Sequence, residues 1–558
     1  MKHTMTLITA LLPAVMTINA AQKPVLQRAN YDGITYTLDE QTLTASIDAG
    51  QKVSGEITIP EIIESEEELY TVVRISDKAF KGCKELTSIS LPRTIKTVYR
   101  SAFEGTAFYL NKEENWEHGL LYIDSILISV DPDSLKTKFT VPDRTNAIAV
   151  GAFSDCKELK QIFLPNSITE IAPQTFKGCK SLRKFNLGRG LRRIGKDAFV
   201  GTEAWDGTWK KGCLFIDSCL IASNKDIKPD YVIPPTTRLL ADGAFENNTI
   251  LHHIVLSPRF KEIGDETFAG CSRLEYIDIP ADIERIGKMA FADCVALKEI
   301  HIPATVDELG VQSFSGCVNL KEITIPNGVK TLPNGLFYQC LGLRNIKWSN
   351  NLQKIGTGAF YGCVSIEEVT NLPNTIRHIG NGAFCGCTSL RSVALPDSVM
   401  QIPAHLFNGC SELSKVTFSE GLYDISEYAF KNCVRLEGIK IPPYLFRIGN
   451  YAFAGCSTLR YIAMTDYTEV IEQGAFLGCT SIEKIDIPLR TKHIEKETFS
   501  NCRALREVNF HSGIMDIGES AFENCTMLKK AFIPEQTEVH KNAFKGTKTI
   551  ITRVPTDN

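Results

Sequence analysis

The chain has 558 residues and a formal net charge of −4, with acidic and basic residues mixed along its length. That balance supplies no basic patch or stripe for nucleic acid. Its 18 cysteines would suggest a disulfide framework in an exported protein, but most of them recur at one fixed spacing, which argues otherwise.

The first residues read as a secretory leader. Lys2 and His3 precede an apolar run from Met5 to Ile18, which Pro13 interrupts, and Ala20 and Ala21 offer small residues for cleavage. This pattern assigns residues 1–21 to a signal peptide. The run is shorter than the ~20 apolar residues a membrane span takes, and no later run reaches that length. No cysteine follows the cleavage region, so a lipid-anchored N-terminus is not expected.

Residues 22–56 predict an N-terminal hairpin cap. Gly33 to Leu38 and Thr42 to Ile47 alternate in polarity on either side of Asp39-Glu40-Gln41, which is a hairpin signature. Such a cap would cover the open first edge of a stack of strands. Ile57-Thr58-Ile59-Pro60 is the first repeat-like strand, and the acidic run Glu64 to Glu68 reads as a solvated insertion. Calcium-loop spacing is absent from it.

From Phe80 onward the chain repeats, most plainly between Phe268 and Phe291. With Phe268 as position zero, Cys271 is at three, Leu274 at six, Ile277 at nine, Ile279 at eleven and Pro280 at twelve. Ile283 is at fifteen, Ile286 at eighteen and Gly287 at nineteen, and the next turns start at Phe314, Phe337 and Phe360. A fixed period of this length specifies a solenoid. Ile277 and Ile279 flank polar Asp278, the alternation of a half-buried strand, and Pro280 ends it by withholding an N–H. Phe, Cys and Leu at every third residue suit one tight helical turn on the other side. A single coil cannot bury its own apolar face, whereas stacked coils can, with strands paired in parallel at ~4.8 Å spacing.

Two intervals are long. Phe103 to Phe153 and Phe199 to Phe245 each hide one further coil, with Phe139-Thr140-Val141-Pro142 and Tyr231-Val232-Ile233-Pro234 at the strand positions. The coils near 104–130 and 200–222 lack the cysteine, carry Trp116 or Trp205 and Trp209, and read as hairpins turning at Asp124-Ser125 and Asp217-Ser218. In that register Cys219 faces Ile216, so no Cys213–Cys219 bridge is expected. The array then runs regularly from Phe245, with Ile550 to Val554 as the final edge strand and residues 555–558 as a short tail.

Fifteen of the cysteines, Cys83 and Cys525 among them, stand at position three. Like positions in adjacent coils form a column whose parallel side chains do not meet in disulfide geometry. Buried free thiols are the reading, and no histidine joins the column at metal-ligand spacing. The fold expected for residues 57–554 is one curved, right-handed repeat solenoid. It would be mainly β with short helical turns, of about 21 coils and on the order of 100 Å long.

The stretch L-E-Y-I-D-I-P-A-D-I-E-R-I-G-K-M-A-F-A-D-C-V-A-L resembles the bacterial BspA-like leucine-rich repeat family, related to the treponemal repeat class. The resemblance covers about residues 57–554 and includes the cap and the Gly-Thr hairpin coils. It implies a secreted or cell-surface bacterial protein. Some members of that family are adhesins for host extracellular proteins such as fibronectin and fibrinogen. The family has no binding-residue motif, so the resemblance names no site.

No phosphate loop and no H-E-x-x-H is present, and the ten histidines are scattered. An enzyme is not expected, nor a cofactor or a bound metal. Packing leaves strand positions eight and ten free, and extended faces of this kind are what solenoids bind with. Tyr276, His301, Lys347, Lys440 and Tyr461 are therefore the candidate contacts for a macromolecular ligand, most simply a protein. Surface glycan capture and a structural spacer are the alternatives. A glycan platform is disfavoured because Tyr276, Tyr461 and Phe532 lie far apart in coil number.

Overall fold

The computed structural model describes residues 27–39, 42–65, 68–207 and 209–555. The expected leader 1–21, the first residues of the cap, and 556–558 of the tail lie outside the described residues. The chain divides into two compact units, Met1–Thr208 and Trp209–Asn558, and each is a β-solenoid. Together they hold about 22 turns with little helix. That is one turn more than the phenylalanine anchors and the two hidden coils account for, because Gly55–Thr58 already stands in the ladder ahead of Phe80.

In the first unit the N-terminal strands are β1 (Gln27–Tyr31), β2 (Ile34–Asp39) and β3 (Thr44–Ile47), paired antiparallel in sequence order. The alternation of β2 puts Ile34, Tyr36 and Leu38 inside. β3 then pairs in parallel with Glu68–Ile75, which pairs in parallel with Thr97–Val98. The N-terminal sheet thus runs into the short ladder of the solenoid. The strand Gly55–Thr58, first of the longer ladder, pairs with Leu86–Ser90. At the acidic run, strand Ile62–Ser65 pairs antiparallel with Glu68–Ile75.

The two long intervals hold hairpins. Leu120–Ile123 pairs antiparallel with Ile126–Val130, and Cys213–Ile216 with Cys219–Ser223, with Cys219 opposite Ile216. The second strand of each joins the short ladder, against Ala147–Ile148 and Leu239–Leu240. The hidden strands Lys138–Thr140 and Asp230–Val232 pair in parallel with the next coils. The α-helical turns of the described residues, such as Ala107–Leu110 and Glu203–Gly207, sit in these hairpin-bearing coils.

In the second unit the x-I-x-I-P segments form parallel pairs such as Tyr276–Asp278 on His253–Val255 and Asn345–Lys347 on Glu322–Thr324. A shorter ladder forms around position eighteen, as in Arg285–Ile286 between Glu262–Ile263 and Glu308–Leu309. The longer ladder is not continuous. Glu299-Ile300-His301 makes no strand, and there the Lys298 N–H bond to the Glu275 carbonyl stretches to 3.4 Å.

The phenylalanine arc adds a third row of coil-to-coil bonds. The N–H groups of Glu266, Phe268 and Gly270 donate to the carbonyls of Lys288, Ala290 and Ala292 in the next coil, at 2.7–2.8 Å. Within the arc, Cys271 N–H bonds the Phe268 carbonyl and Leu274 N–H the Cys271 carbonyl. Those are single turns of 3₁₀ type, where Phe–Cys–Leu spacing predicts one. The flat row requires left-handed backbone two residues before and two after each phenylalanine, as at Glu266 (φ 54°) and Gly270 (φ 72°). Glycine meets that demand freely, yet Met289, Tyr428 and Tyr451 hold the same conformation.

The phenylalanines are fully buried and stack face to face. Phe314 lies 5.5 Å from Phe291 and 5.6 Å from Phe337 between ring centroids, inside the range of favourable aromatic contact. All 18 cysteines are free and buried. At Cys179 and from Cys271 onward each column thiol donates to the carbonyl of the preceding coil's phenylalanine, Cys340 to Phe314 at 3.0 Å and Cys456 to Phe430 at 3.2 Å, whereas Cys83 donates to the Gln51 carbonyl. Cysteine is therefore both a small apolar filler and a donor that satisfies a buried carbonyl. Burial pushes the Cys340 thiol up to about 12.

Replacing Phe314 by alanine should cost about 3–5 kcal/mol through the cavity it leaves. Because coupling is between neighbours, hydrogen exchange should rise over the coils from Phe291 to Phe337, and unchanged exchange there contradicts the stacking. Thiol titration of folded protein should find few reactive groups, and titration after denaturation without reductant most of the 18. Burial raises the folded pKa values of the thiols from Cys271 to Cys525. The stability they lend is thus fully present below the unfolded value of ~8.5 and is lost as pH climbs toward the folded one. Melting temperature under reductant should fall between about pH 8.5 and 12, and a flat profile there would contradict thiol burial.

Candidate functional site

All five candidate contacts are exposed: Tyr276, His301, Lys347, Lys440 and Tyr461. The fold brings them together only in part. Tyr276 and His301 occupy adjacent coils, though His301 lies where the strand is interrupted. Lys440 and Tyr461 sit on paired strands, with Gly438 opposite Tyr461 and Lys440 opposite Ala463. Lys347 stands alone between the two groups. Tyr276 and Tyr461 are eight coils apart, roughly 40 Å at ~4.8 Å per coil.

Local packing explains some of these positions. The Tyr276 ring lies under the Lys298 ammonium at 5.5 Å, and Lys298 pairs with Glu275 at 2.5 Å. The Tyr461 ring crosses Gly438, where an added Cβ would be 2.4 Å from its Cζ. Parts of the face bind themselves: Lys484 pairs with Glu507 at 2.9 Å, and His253 meets Asp278 at 3.0 Å. Lys347 and Lys440 have no such ion pair among the described residues.

A second exposed feature escaped a reading confined to positions eight and ten. Position sixteen carries backbone bonds between many neighbouring coils, such as Glu284 N–H to the Lys261 carbonyl at 2.7 Å, and it is occupied by Lys261, Glu284, Asp307, Lys330, Gln353 and Arg377 in successive coils. The next three are Met400, Tyr423 and Phe446, joined by the same bonds: Tyr423 N–H to Met400 C=O at 2.9 Å and Phe446 N–H to Tyr423 C=O at 2.8 Å. Glu469 and Lys492 then restore charge. Position fourteen changes in the same place. Elsewhere in this unit it is small or polar: Gly328 and Gly421 have no side chain, and Thr305, Thr375 and Ser398 tie hydroxyls back to the preceding coil, as Thr375 does to the Leu352 carbonyl at 2.6 Å. In three consecutive coils it becomes Tyr444, Tyr467 and Arg490.

These residues touch. The Tyr444 and Tyr467 rings meet edge to face at 5.6 Å, and the Arg490 guanidinium covers Tyr467 at 4.5 Å. Leu489 N–H bonds Asp466 Oδ1 at 3.2 Å in the Tyr467 coil. Tyr444 is 57% and Leu489 63% exposed, with Met400, Tyr423, Phe446 and Tyr467 between about 40 and 55%. Reading each repeat position down its column, rather than along the chain, exposes this change in the bare sequence.

Beside the rings lies an ion network. Arg447 Nη1 donates to Asp424 Oδ1 at 2.8 Å and its Nε to Glu472 Oε1 at 2.9 Å, while Gln401 Nε2 donates to the other Asp424 oxygen at 2.9 Å. The bond to Glu472 above all pushes the Arg447 pKa up, despite desolvation. The network ties together the coils that present Met400, Tyr423 and Phe446.

In the hairpin-bearing coil of the first unit, Trp116 is committed to packing. Its indole N–H donates to the Tyr109 carbonyl at 2.9 Å and its ring meets Tyr109 edge to face at 5.4 Å. Among the described residues no three His, Cys, Asp or Glu side chains cluster as a metal site would require. No helix among them is long and apolar enough to cross a membrane.

The sequence pattern described as BspA type leucine rich repeat region (6 copies) matches residues 61–114, 133–228, 223–344, 330–460 and 424–551. Among solved structures, a leucine-rich repeat protein from Bacteroides ovatus shares 22% identity over 94% of this chain and 99% of its own, with a TM-score of 0.35. A leucine rich cell surface protein from Faecalibacterium prausnitzii shares 18% over 87% of this chain and 94% of its own, at 0.28. The Treponema pallidum leucine rich repeat protein shares 25% over 39% of this chain and 82% of its own, at 0.22. No curated protein matches the chain.

Arg447→Met should lower stability by about 2 kcal/mol, because it strands the Asp424 carboxylate. The cost is below that of a fully buried pair since Arg447 is about one-third exposed. Adding Asp424→Asn should recover much of the loss in a denaturant titration. A double variant no more stable than the single one would show that the carboxylate is not what is left unpaired.

Proposed function

Because the chain belongs to the BspA-type leucine-rich repeat family, we propose that it is a secreted or cell-surface protein that binds a protein ligand. Export rests on the leader pattern of residues 1–21. An adhesin role toward a host extracellular matrix or plasma protein is the form of this function that the family suggests.

One observation carries the assignment of surface. Alternate side chains of the longer ladder are held outward on strands paired with a neighbouring coil, as at Tyr276, Lys347, Lys440 and Tyr461, and the core makes no use of them. Tyr276, His301, Lys347, Lys440 and Tyr461 are among the exposed aromatic or basic groups on that face. Lys347 and Lys440 keep their charge available, since no carboxylate pairs them among the described residues. Tyrosine and positive charge held on a rigid frame suit a protein contact. The ladder aromatics Tyr276, Tyr461 and Phe532 stand coils apart, so they do not make the continuous platform a glycan chain would use.

The test begins with the full chain screened against immobilised matrix proteins, plasma proteins and polysaccharides. For a protein ligand, Tyr276→Ala and Lys347→Ala should each weaken binding, by about 2 kcal/mol, or some 30-fold, where the residue is a hot spot. Lys288→Ala and Asp293→Asn, on the phenylalanine arc, should leave it unchanged. The reverse pattern moves the ligand to the arc, and binding of polysaccharide alone replaces the protein reading with the glycan one.

A further inference from the structure

We propose that the stripe formed by Met400, Tyr423, Tyr444, Phe446, Tyr467 and Leu489 is a self-association surface whose occupant is the same stripe on a second copy of the chain. The inference goes beyond the ladder-face reading and does not depend on it.

The fold does not demand these side chains. Charged residues at position sixteen of neighbouring coils make the same backbone bonds, and hydroxyls at position fourteen tie back to the coil before. The apolar groups at 400, 423, 444, 446, 467 and 489 therefore face water without serving the stack, and contiguous exposure of this kind marks a contact surface. Six such side chains, about half exposed, would remove roughly 500–600 Å² from each copy. The total of about 1,000–1,200 Å² lies at the lower edge of specific interfaces.

The order of the stripe points to a second copy. It spans five coils, about 20 Å at ~4.8 Å per coil, and it reads alike from both ends. Met400 and Leu489 close it with flexible aliphatic groups, Tyr423 and Tyr467 stand one coil further in, and Tyr444 and Phe446 share the middle coil. An isologous contact requires a surface complementary to itself under a two-fold axis. With the axis across the middle coil the stripes lie antiparallel. Met400 then meets the partner's Leu489, Tyr423 meets the partner's Tyr467, and Phe446 meets the partner's Tyr444. A sugar chain fits less well, because Tyr467 already has Arg490 over one face and the Tyr444 ring against it. Met400, Phe446 and Leu489 offer a sugar no hydrogen-bonding group.

The experiment is sedimentation velocity on the full chain from about 1 to about 200 µM, the span in which an interface this small should dissociate. A concentration-dependent dimer is expected. Phe446→Glu and, separately, Tyr423→Glu should raise its dissociation constant at least tenfold while leaving thermal melting unchanged. The register is read by oxidative cross-linking. Met400→Cys with Leu489→Cys should give a covalent dimer, as should Tyr444→Cys with Phe446→Cys, whereas Met400→Cys alone should not. A monomer throughout overturns the proposal and leaves the stripe to a different partner protein. A dimer indifferent to both glutamate variants overturns it as well, and so does cross-linking by Met400→Cys alone.

Discussion

Everything in this protein depends on the inability of one coil to bury its own phenylalanine. The ring at position zero is sealed only by the rings above and below it, as Phe314 is by Phe291 and Phe337. Stacking the coils imposes the remaining requirements. Backbone groups on three sides need partners in the next coil, which the two parallel ladders and the phenylalanine arc supply. The arc achieves its flat row of bonds by placing left-handed residues on both sides of the ring. The carbonyl of the phenylalanine itself, enclosed in the column, takes the thiol of the next coil. A cysteine there is small enough to pack and polar enough to donate, a pair of properties serine and alanine each meet only by half.

Those requirements consume most of the repeat and leave a few positions open. At the open positions neighbouring coils differ in how they treat water. Some bind their own charges, as Lys484 does with Glu507. Others anchor a hydroxyl to the coil before. A few leave rings or ammonium groups uncommitted. Function belongs with the last kind, because only an uncommitted group has interaction energy still to give to another molecule. The longer ladder and the turn after it are two places where the described residues keep such groups.

The fold was legible because burial prints itself at a fixed period. Phe139 and Tyr231 mark hidden strands by standing ahead of x-Pro at the right distance, and the matching Leu120 and Cys213 segments announce their hairpins by repeating each other. Other features carry no such print. Tyr428, Tyr451 and Met289 adopt a backbone conformation that is uncommon for residues with side chains, and bonds to the next coil, with the Tyr428 and Tyr451 rings stacked on each other, hold them there. Glu299-Ile300-His301 has the pattern of a strand but lacks the coil-to-coil bonding of one. The N-terminal strands extend the short ladder rather than the long one, a choice that pairing geometry makes and alternation does not. For the candidate contacts, exposure was readable from the repeat positions, whereas proximity was not. The stripe around Phe446 lay in plain view at positions that a strand-centred reading passes over.

Bonds that run from coil to coil are loaded in series when such a stack is drawn out lengthwise. A helix bundle pulled in shear must break many contacts at once, but here the terminal coil peels first and leaves the next one as the new end. Each release frees about 23 residues of contour, roughly 80 Å of chain where the coil had occupied about 5 Å. Tension on a molecule built this way is relieved in steps at modest force, and every surviving coil remains a template on which the freed one can wind back. The same neighbour-to-neighbour stacking that lets such a chain fold therefore also sets how it lengthens, one coil at a time.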